Sequence, residues 1–183
     1  AISDCLVGSE MCIRDSWGVD YPKINDLMKI GSDLPVCINQ KTQHMKGFGE
    51  VLEEINTFPN LPILLVNPLK KVSTQTVFRM LKNKKNRPLS KFEKLSQAKQ
   101  DWINWLLLQR NDLMEPAVKV EPVIYEVLRL ISKQISVGKV SMSGSGATCF
   151  GIFENKHDCD LAMKRVRLER PDWWSVSTEI VSI

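Results

Sequence analysis

The sequence predicts an α+β fold in which helices pack on one face of a small antiparallel sheet. Two observations support this prediction. From Leu61 onward the residue patterns run strand, helices, strand, tight turn, strand, helix and strand. The strand segments are short and apolar, and the helical segments carry an apolar stripe along one side, so each layer can bury the apolar face of the other.

Composition is that of an ordinary globular protein, since 43% of the 183 residues are hydrophobic and 25% are charged. No apolar run approaches the ~20 residues of a membrane-spanning helix, so no membrane partner is expected. The formal net charge of +4 suits an anionic substrate but does not indicate nucleic-acid binding. The five cysteines are scattered, which predicts reduced thiols in a cytoplasmic protein and no cysteine metal site.

The first segment, residues 1–16 (AISDCLVGSEMCIRDS), has neither strand alternation nor a helical stripe. It also lacks the basic start and apolar centre of a signal peptide. It resembles a translated sequencing-adapter peptide, so we expect a non-native segment rather than a natural disordered tail.

Between this segment and the main pattern, Tyr21–Ile30 is spaced like a short amphipathic helix, and Gly31 is expected to end it. Pro35 favours extended backbone before it, and the partial alternation over Pro35–Met45 predicts a strand. Gly47–Glu50 predicts a turn, after which Val51–Ile55 pairs back as a hairpin.

The apolar run Leu61–Pro68, bounded by prolines, predicts a buried strand. Ser73 or Thr74 can cap the next helix, for which we expect one apolar face. The residues of that face are Val77, Phe78 and Leu81. The lysine-rich connection over 82–94 is expected to be a solvated surface segment.

Three helices are predicted next, and each has its own sequence signal. Gln97–Gln109 carries apolar residues that we expect in the core, namely Trp102, Trp105, Leu106 and Leu108. Another helix opens at Asn111 or Asp112, and the strongest pattern begins near Pro122. The remaining segments alternate between strand and helix around a glycine loop: strand 139–142, the loop, strand 147–153, helix 157–169 and strand 174–181.

Few residues could carry chemistry. The two histidines, His44 and His157, are far apart in the sequence, so a histidine triad or zinc site is not expected. Neither a GxxxxGK[ST] nor a GxGxxG motif occurs. The candidates are Asp33, Ser73–Thr74, Asn111–Asp112 and the loop SGSGAT.

The loop SGSGAT is the candidate for holding an anion. Its residues are Ser143, Gly144, Ser145, Gly146, Ala147 and Thr148. The glycines permit positive φ and close backbone approach, successive N–H groups can form an anion-binding nest, and the hydroxyls add donors. The alternative is a simple hairpin turn. Asp33 could accept a proton from a substrate hydroxyl, and its alternative role is that of a turn former.

Four segments, in this order and spacing, carry a resemblance: GSDLPVCINQKTQHMKGFGEVLEEI, LPILLVNPLKKVSTQTVF, NDLMEPAVKVEPVIYEVLRLI and MSGSGATCFGIF. From about Trp17 to Ile183 the chain resembles the 4-diphosphocytidyl-2-C-methyl-D-erythritol kinases, a family of the GHMP kinase superfamily. The resemblance implies that residues 17–59 are the end of the N-terminal kinase domain and 60–183 the C-terminal domain.

The resemblance also implies a function. These kinases use ATP and Mg²⁺ to phosphorylate the 2-hydroxyl of a cytidine diphosphate substrate in non-mevalonate isoprenoid biosynthesis. By motif, Asp33 would be the catalytic base, Thr74 would contact the substrate and Phe78 would stack on cytosine. The loop from Ser143 to Thr148 would lie beside the phosphates.

Some family features have no counterpart in these 183 residues, notably the P-x-G-x-G-L-G-G-G-S-S nucleotide loop and an N-terminal lysine. We therefore expect a fragment that is inactive alone. Smaller departures are Ser32 in place of alanine and Gln75 in place of proline. The alternatives are a small α+β module that binds anions or RNA without catalysis, and another GHMP kinase. Phe150 and Phe153, at odd spacing, do not suit an RNA-binding sheet.

Overall fold

The computed structural model describes residues 23–31, 34–38, 41–83, 86 and 95–181. The chain divides between Phe58 and Pro59 into two compact units, and the second unit runs to Val181. Asp33, residues 1–16 and most of the lysine-rich connection lie outside the described residues. Across the described part of the chain, no helix is both long enough and apolar enough to span a membrane.

The part of the first unit that the structure describes contains two short helices and a hairpin. Its elements are α1 (Ile24–Ile30), α2 (Leu34–Ile38), β1 (Gln43–Lys46) and β2 (Val51–Glu54). α1 ends as predicted at Gly31, whose N–H donates to the carbonyl of Leu27 at 3.0 Å. β1 and β2 pair antiparallel around a turn over residues 47–50, so the hairpin prediction is confirmed.

The predicted strand over Pro35–Met45 is wrong in its first half. Residues Leu34–Ile38 form α2, and only Gln43–Lys46 is a strand. The physical reason is that the first N–H groups of a helix have no intrahelical partner, so Pro35 in the first turn leaves no hydrogen bond unmade. A proline that favours extended backbone before it is equally compatible with a helix that starts there.

The described residues of the second unit form four strands and five helices. In chain order they are β3 (Leu61–Asn67), α3 (Thr74–Met80), α4 (Lys99–Leu108), α5 (Met114–Val120), α6 (Val123–Ser132), β4 (Val137–Met142), β5 (Cys149–Phe153), α7 (Lys156–Glu169) and β6 (Trp174–Ile180). The strands form one antiparallel sheet in the order β4-β5-β3-β6. This order, with helices between β3 and β4 and between β5 and β6, is that of a ferredoxin-like β-α-β-β-α-β unit.

One face of this sheet forms the main core. Alternate residues of β3 and β5, such as Leu64, Val66, Cys149 and Phe153, are buried against the helices. The contacting helical residues are Val77, Ala117, Ile124, Val127, Leu130, Ile131, Cys159, Ala162 and Val166. The prediction of an α+β unit with helices packed on an antiparallel sheet is confirmed.

Helix α4 lies against the opposite face of the sheet, at the β4 edge. Lys139 pairs in register with Ile152, which alternates along β5 with the core residue Phe153. From that opposite face, the Lys139 ammonium donates to the carbonyl of Gln109 at the end of α4, at 2.6 Å. The sequence pattern predicted helices on one face of the sheet, whereas the structure has helices on both faces.

One residue predicted for the core, Leu108, and one predicted for the apolar face of α3, Phe78, are exposed instead. Leu108 is 74% exposed, while Trp102 and Ile103 of the same helix are buried. At 3.6 residues per turn, Leu108 lies almost opposite the Trp102–Ile103 pair, so one helix cannot bury both sides here. Phe78 is 51% exposed, although its neighbour Val77 is fully buried.

Candidate functional site

The predicted phosphate loop joins β4 to β5 in a tight turn. The Ser143 N–H donates to the carbonyl of Thr148 at 2.9 Å, and the Gly146 N–H donates to the carbonyl of Ser143 at 3.0 Å. Gly144 has φ +53° and Gly146 has φ +93°, so the predicted use of positive φ is confirmed. The bond between Gly146 and Ala147 is cis.

Asn67, the last residue of β3, tethers the second half of this loop. Its amide nitrogen donates to the Thr148 hydroxyl at 2.9 Å, and its amide oxygen accepts from the Leu69 N–H at 2.7 Å. Sequence reasoning missed Asn67. The one available signal was an asparagine directly after an apolar strand. Asparagine is also a common turn residue, so this signal was not specific.

Thr74 brings a second predicted site to the same place. It is the first residue of α3, whose N-cap Ser73 accepts a hydrogen bond from the Thr76 N–H at 3.3 Å. The hydroxyls of Thr74 and Ser145 are 2.8 Å apart and share a hydrogen bond. A residue predicted for the cytidine site therefore touches a residue predicted for the phosphate loop, across 71 positions of sequence.

Phe78 belongs to the same surface. It follows Thr74 by four residues in a continuous helix, so the two side chains lie on the same side of α3. Its ring is half exposed, and an exposed aromatic ring can stack against a base. Thr74, Phe78 and the loop together form what we call the loop–α3 surface, which is defined by Thr74, Phe78 and residues 143–148.

Two backbone donors of this surface are free. Among the described residues, neither the Gly144 N–H nor the Ser145 N–H has a protein acceptor. Gly144 is exposed, and a Cβ built on it would meet no atom within 4 Å. Successive unpaired N–H groups facing open space are the elements of an anion-binding nest. The loop can thus hold phosphate oxygens by hydrogen bonds from the main chain.

No residue of the loop–α3 surface can act as a base or a thiolate nucleophile. The loop carries no ionisable side chain, and burial raises the pKa of the adjacent Cys149 thiol to about 12. In the neighbouring groove of about 310 Å³, Glu115 is paired with Lys119 at 2.5 Å, and this hydrogen bond lowers the pKa of Glu115. The candidate base, Asp33, lies outside the described residues, so its placement stays a prediction.

The two loop glycines are expected to respond differently to alanine. Gly146→Ala should lower the free energy of unfolding by about 2–4 kcal/mol, because its φ is strained for an L-residue and the new Cβ would crowd its neighbours. That Cβ would lie 3.0 Å from Met142 Sδ and 3.1 Å from Ile124 Cδ1. Gly144→Ala should cost only about 1 kcal/mol, because its φ lies in the left-handed region and the space is open. Urea unfolding of both variants measures these losses of unfolding free energy. Equal losses for Gly146→Ala and Gly144→Ala would contradict the loop geometry.

Comparison with known proteins places the chain in a family. The family model described as GHMP kinases C terminal matches residues 92–169. The "4-diphosphocytidyl-2-C-methyl-D-erythritol kinase" of Dinoroseobacter shibae is 40% identical over 154 residues, which cover 84% of this chain and 54% of that protein. The chain belongs to the GHMP kinases. A relative of the same name from Rhizobium etli is 38% identical over 169 residues, covering 91% of this chain and 56% of the relative.

The structural comparison agrees on the fold of this GHMP kinase chain. A crystal structure titled 4-(cytidine 5'-diphospho)-2C-methyl-D-erythritol kinase superposes with a TM-score of 0.78 at 20% identity, covering 97% of this chain and 63% of that one. At this identity the match shows a shared fold. The GHMP kinase chain spans about half the length of the curated relatives that it matches.

Proposed function

We propose that this chain, together with the nucleotide-binding segment for which it has no counterpart, transfers the γ-phosphate of ATP to the 2-hydroxyl of 4-diphosphocytidyl-2-C-methyl-D-erythritol, a step of isoprenoid biosynthesis. The observation that carries this proposal is the hydrogen bond of 2.8 Å between Thr74 and Ser145. It joins the residues assigned to the cytidine diphosphate substrate to the residues assigned to phosphate. The sequence relatives support the same substrate, since each bears its name.

Each part of the loop–α3 surface has a role in this proposal. The Phe78 ring stacks on cytosine, and the Thr74 hydroxyl contacts the substrate beside it. The free N–H groups of Gly144 and Ser145 donate to phosphate oxygens, whose charge must be balanced as phosphoryl transfer proceeds. Because the donors are main-chain groups held by the loop, they need no reorganisation when the phosphate binds.

The chemical step needs a proton acceptor, and the resemblance assigns it to Asp33. As the 2-hydroxyl oxygen attacks the γ-phosphorus, its proton passes to the Asp33 carboxylate, and the bond between that phosphorus and the bridging oxygen of ADP breaks. ADP leaves with the electron pair of that bond. The product is the 2-phosphate ester of the substrate.

Mg²⁺ neutralises phosphate charge in kinases when it is bound. The loop–α3 surface offers N–H and hydroxyl donors rather than carboxylates, so it fits phosphate oxygens and not the metal. Within the part of the chain that the structure describes, no group of three or more His, Cys, Asp or Glu side chains could hold a metal ion.

The proposal can be tested with a hybrid enzyme. Residues 17–183 are joined to the portion of the Dinoroseobacter shibae kinase that has no counterpart in this chain, and transfer of ³²P from ATP is measured. We expect phosphorylation of 4-diphosphocytidyl-2-C-methyl-D-erythritol and none of homoserine or mevalonate. A folded hybrid that transfers no phosphate, while the intact Dinoroseobacter shibae kinase does so in the same assay, would overturn the proposal.

In this hybrid, Phe78→Ala is expected to raise KM for the cytidine substrate by about 10–100-fold, because stacking on an aromatic ring contributes ~1–3 kcal/mol per base. The kcat should change little, since stacking holds substrate and transition state alike. Phe78→Tyr keeps the ring and serves as the control. An unchanged KM in Phe78→Ala would show that Phe78 does not contribute to binding of the cytidine substrate.

A further inference from the structure

Asn111 lies between α4 and α5, and the sequence pattern singled it out without giving it a role. Its amide nitrogen donates one hydrogen bond to the carbonyl of Met142 and one to that of Gly144, both at 2.8 Å. Its amide oxygen accepts from the Leu113 N–H at 2.9 Å. Both hydrogens and the oxygen of this side chain are thus engaged. One of the three bonds fixes the carbonyl of Met142 at the end of β4, and another fixes the carbonyl of Gly144 in the loop.

The direction of each loop carbonyl determines where the N–H group of the next residue points. In a trans peptide the C=O and the following N–H point in opposite directions. Because the Gly144 carbonyl points to Asn111, the Ser145 N–H points away from it. The Ser143 carbonyl accepts from the Gly146 N–H, so the Gly144 N–H likewise points away from the turn's interior.

We propose that Asn111 is a positioning residue that holds the Gly144–Ser145 peptide with its N–H outward, ready for a phosphate oxygen. The inference rests on the proposed function for its ligand class, a phosphate or diphosphate group. Thr74 and Asn67 bind the loop through the side chains of Ser145 and Thr148, and neither bond fixes a loop carbonyl. Asn111 alone among the described side chains holds the carbonyl of Gly144.

The test separates this role from a structural one. Asn111→Asp keeps an oxygen for the Leu113 N–H, and thus the start of α5, but it removes both donors and sets a carboxylate against two carbonyl oxygens. Asn155→Ala is the matched control, because the Asn155 oxygen accepts from the Asp158 N–H at 2.9 Å at the start of α7 and does not contact the loop. Should Asn111→Asp not fold, Asn111→Ala removes the donors without adding charge.

Two measurements are made on the 183-residue chain. Residual dipolar couplings report the direction of the Gly144 and Ser145 N–H bonds without ligand, and titration with inorganic pyrophosphate reports binding at the same amides. We expect the Asn111 variant to change the Ser145 coupling and weaken pyrophosphate binding by about tenfold or more, as loss of one hydrogen bond to a charged group predicts. Asn155→Ala should change neither.

Unchanged couplings in the Asn111 variant would overturn the inference, even if the parent binds pyrophosphate. Changed couplings with unchanged pyrophosphate affinity would also overturn it, because the peptide's direction would not matter for binding. Changed couplings in a chain whose parent does not bind pyrophosphate would support the positioning by Asn111 and count against the phosphate role of the loop.

Discussion

Replacing Asp33 with asparagine is expected to lower the kcat of the hybrid kinase by about 10²–10⁴-fold, the range that general base catalysis contributes. Asparagine has nearly the same size and shape as aspartate but cannot accept the proton of the substrate hydroxyl. Substrate binding should change far less than turnover, because the base acts mainly in the transition state. The KM for the cytidine substrate should therefore stay near that of the parent.

The control for this substitution is another aspartate of the same unit. Asp26 lies in α1 and pairs with Lys29 at 2.8 Å on an exposed surface, so Asp26→Asn should leave kcat unchanged. Circular dichroism and urea unfolding would show whether either variant alters the fold. If Asp33→Asn turned over as fast as the parent, the proton acceptor would have to be another group, or none would be needed.

Replacing Phe153 with alanine is expected to lower the free energy of unfolding of the second unit by about 3–5 kcal/mol, as is usual for a buried phenylalanine. Its side chain is fully buried in the main core between the sheet and its helices. The lost ring leaves a cavity that surrounding residues can fill only in part. Tryptophan fluorescence during urea unfolding reports this change, because Trp102 and Trp173 are buried in the same unit.

Phe150 provides the comparison, because it lies on the same strand but points to the opposite face, where it is only half-buried. Phe150→Ala should cost clearly less than Phe153→Ala, since it removes less buried apolar area and leaves no enclosed cavity. Equal losses of unfolding free energy for the two variants would contradict the assignment of Phe153, and not Phe150, to the face of the sheet that forms the main core.

Local chemistry made much of this fold predictable. The glycines around Phe48 indicated the hairpin turn, the proline-bounded run of β3 indicated a buried strand, and Ser73 indicated a helix start. The error at Pro35 has the same local origin, because one short segment satisfies the signals of both a strand and a first helical turn. Phe78 fitted an apolar helical stripe, yet the unit buries only its neighbour Val77.

The contacts that organise the site could not be read from local pattern. Asn111 and Met142 are separated by 31 positions, and Asn67 and Thr148 by 81. An asparagine signals a turn or a cap to its own neighbours. The Asn67 bond, by contrast, exists only after the sheet has paired β3 with β5, and the Asn111 bond only after the α4–α5 connection has packed beside the end of β4. The order of motifs, by contrast, identified the family, because several spaced motifs are specific where one glycine loop is not.

We infer that the phosphate loop and α3 form one surface for a cytidine nucleotide. The most direct measurement is an NMR titration of the chain with cytidine diphosphate. We expect nuclear Overhauser contacts between the cytosine protons and the Phe78 ring, together with shifts of the Gly144 and Ser145 amide resonances in the same complex. Pyrophosphate should shift the loop amides alone. If saturating cytidine diphosphate shifted neither the Phe78 resonances nor those of the loop amides, this surface would not be a site for a cytidine nucleotide.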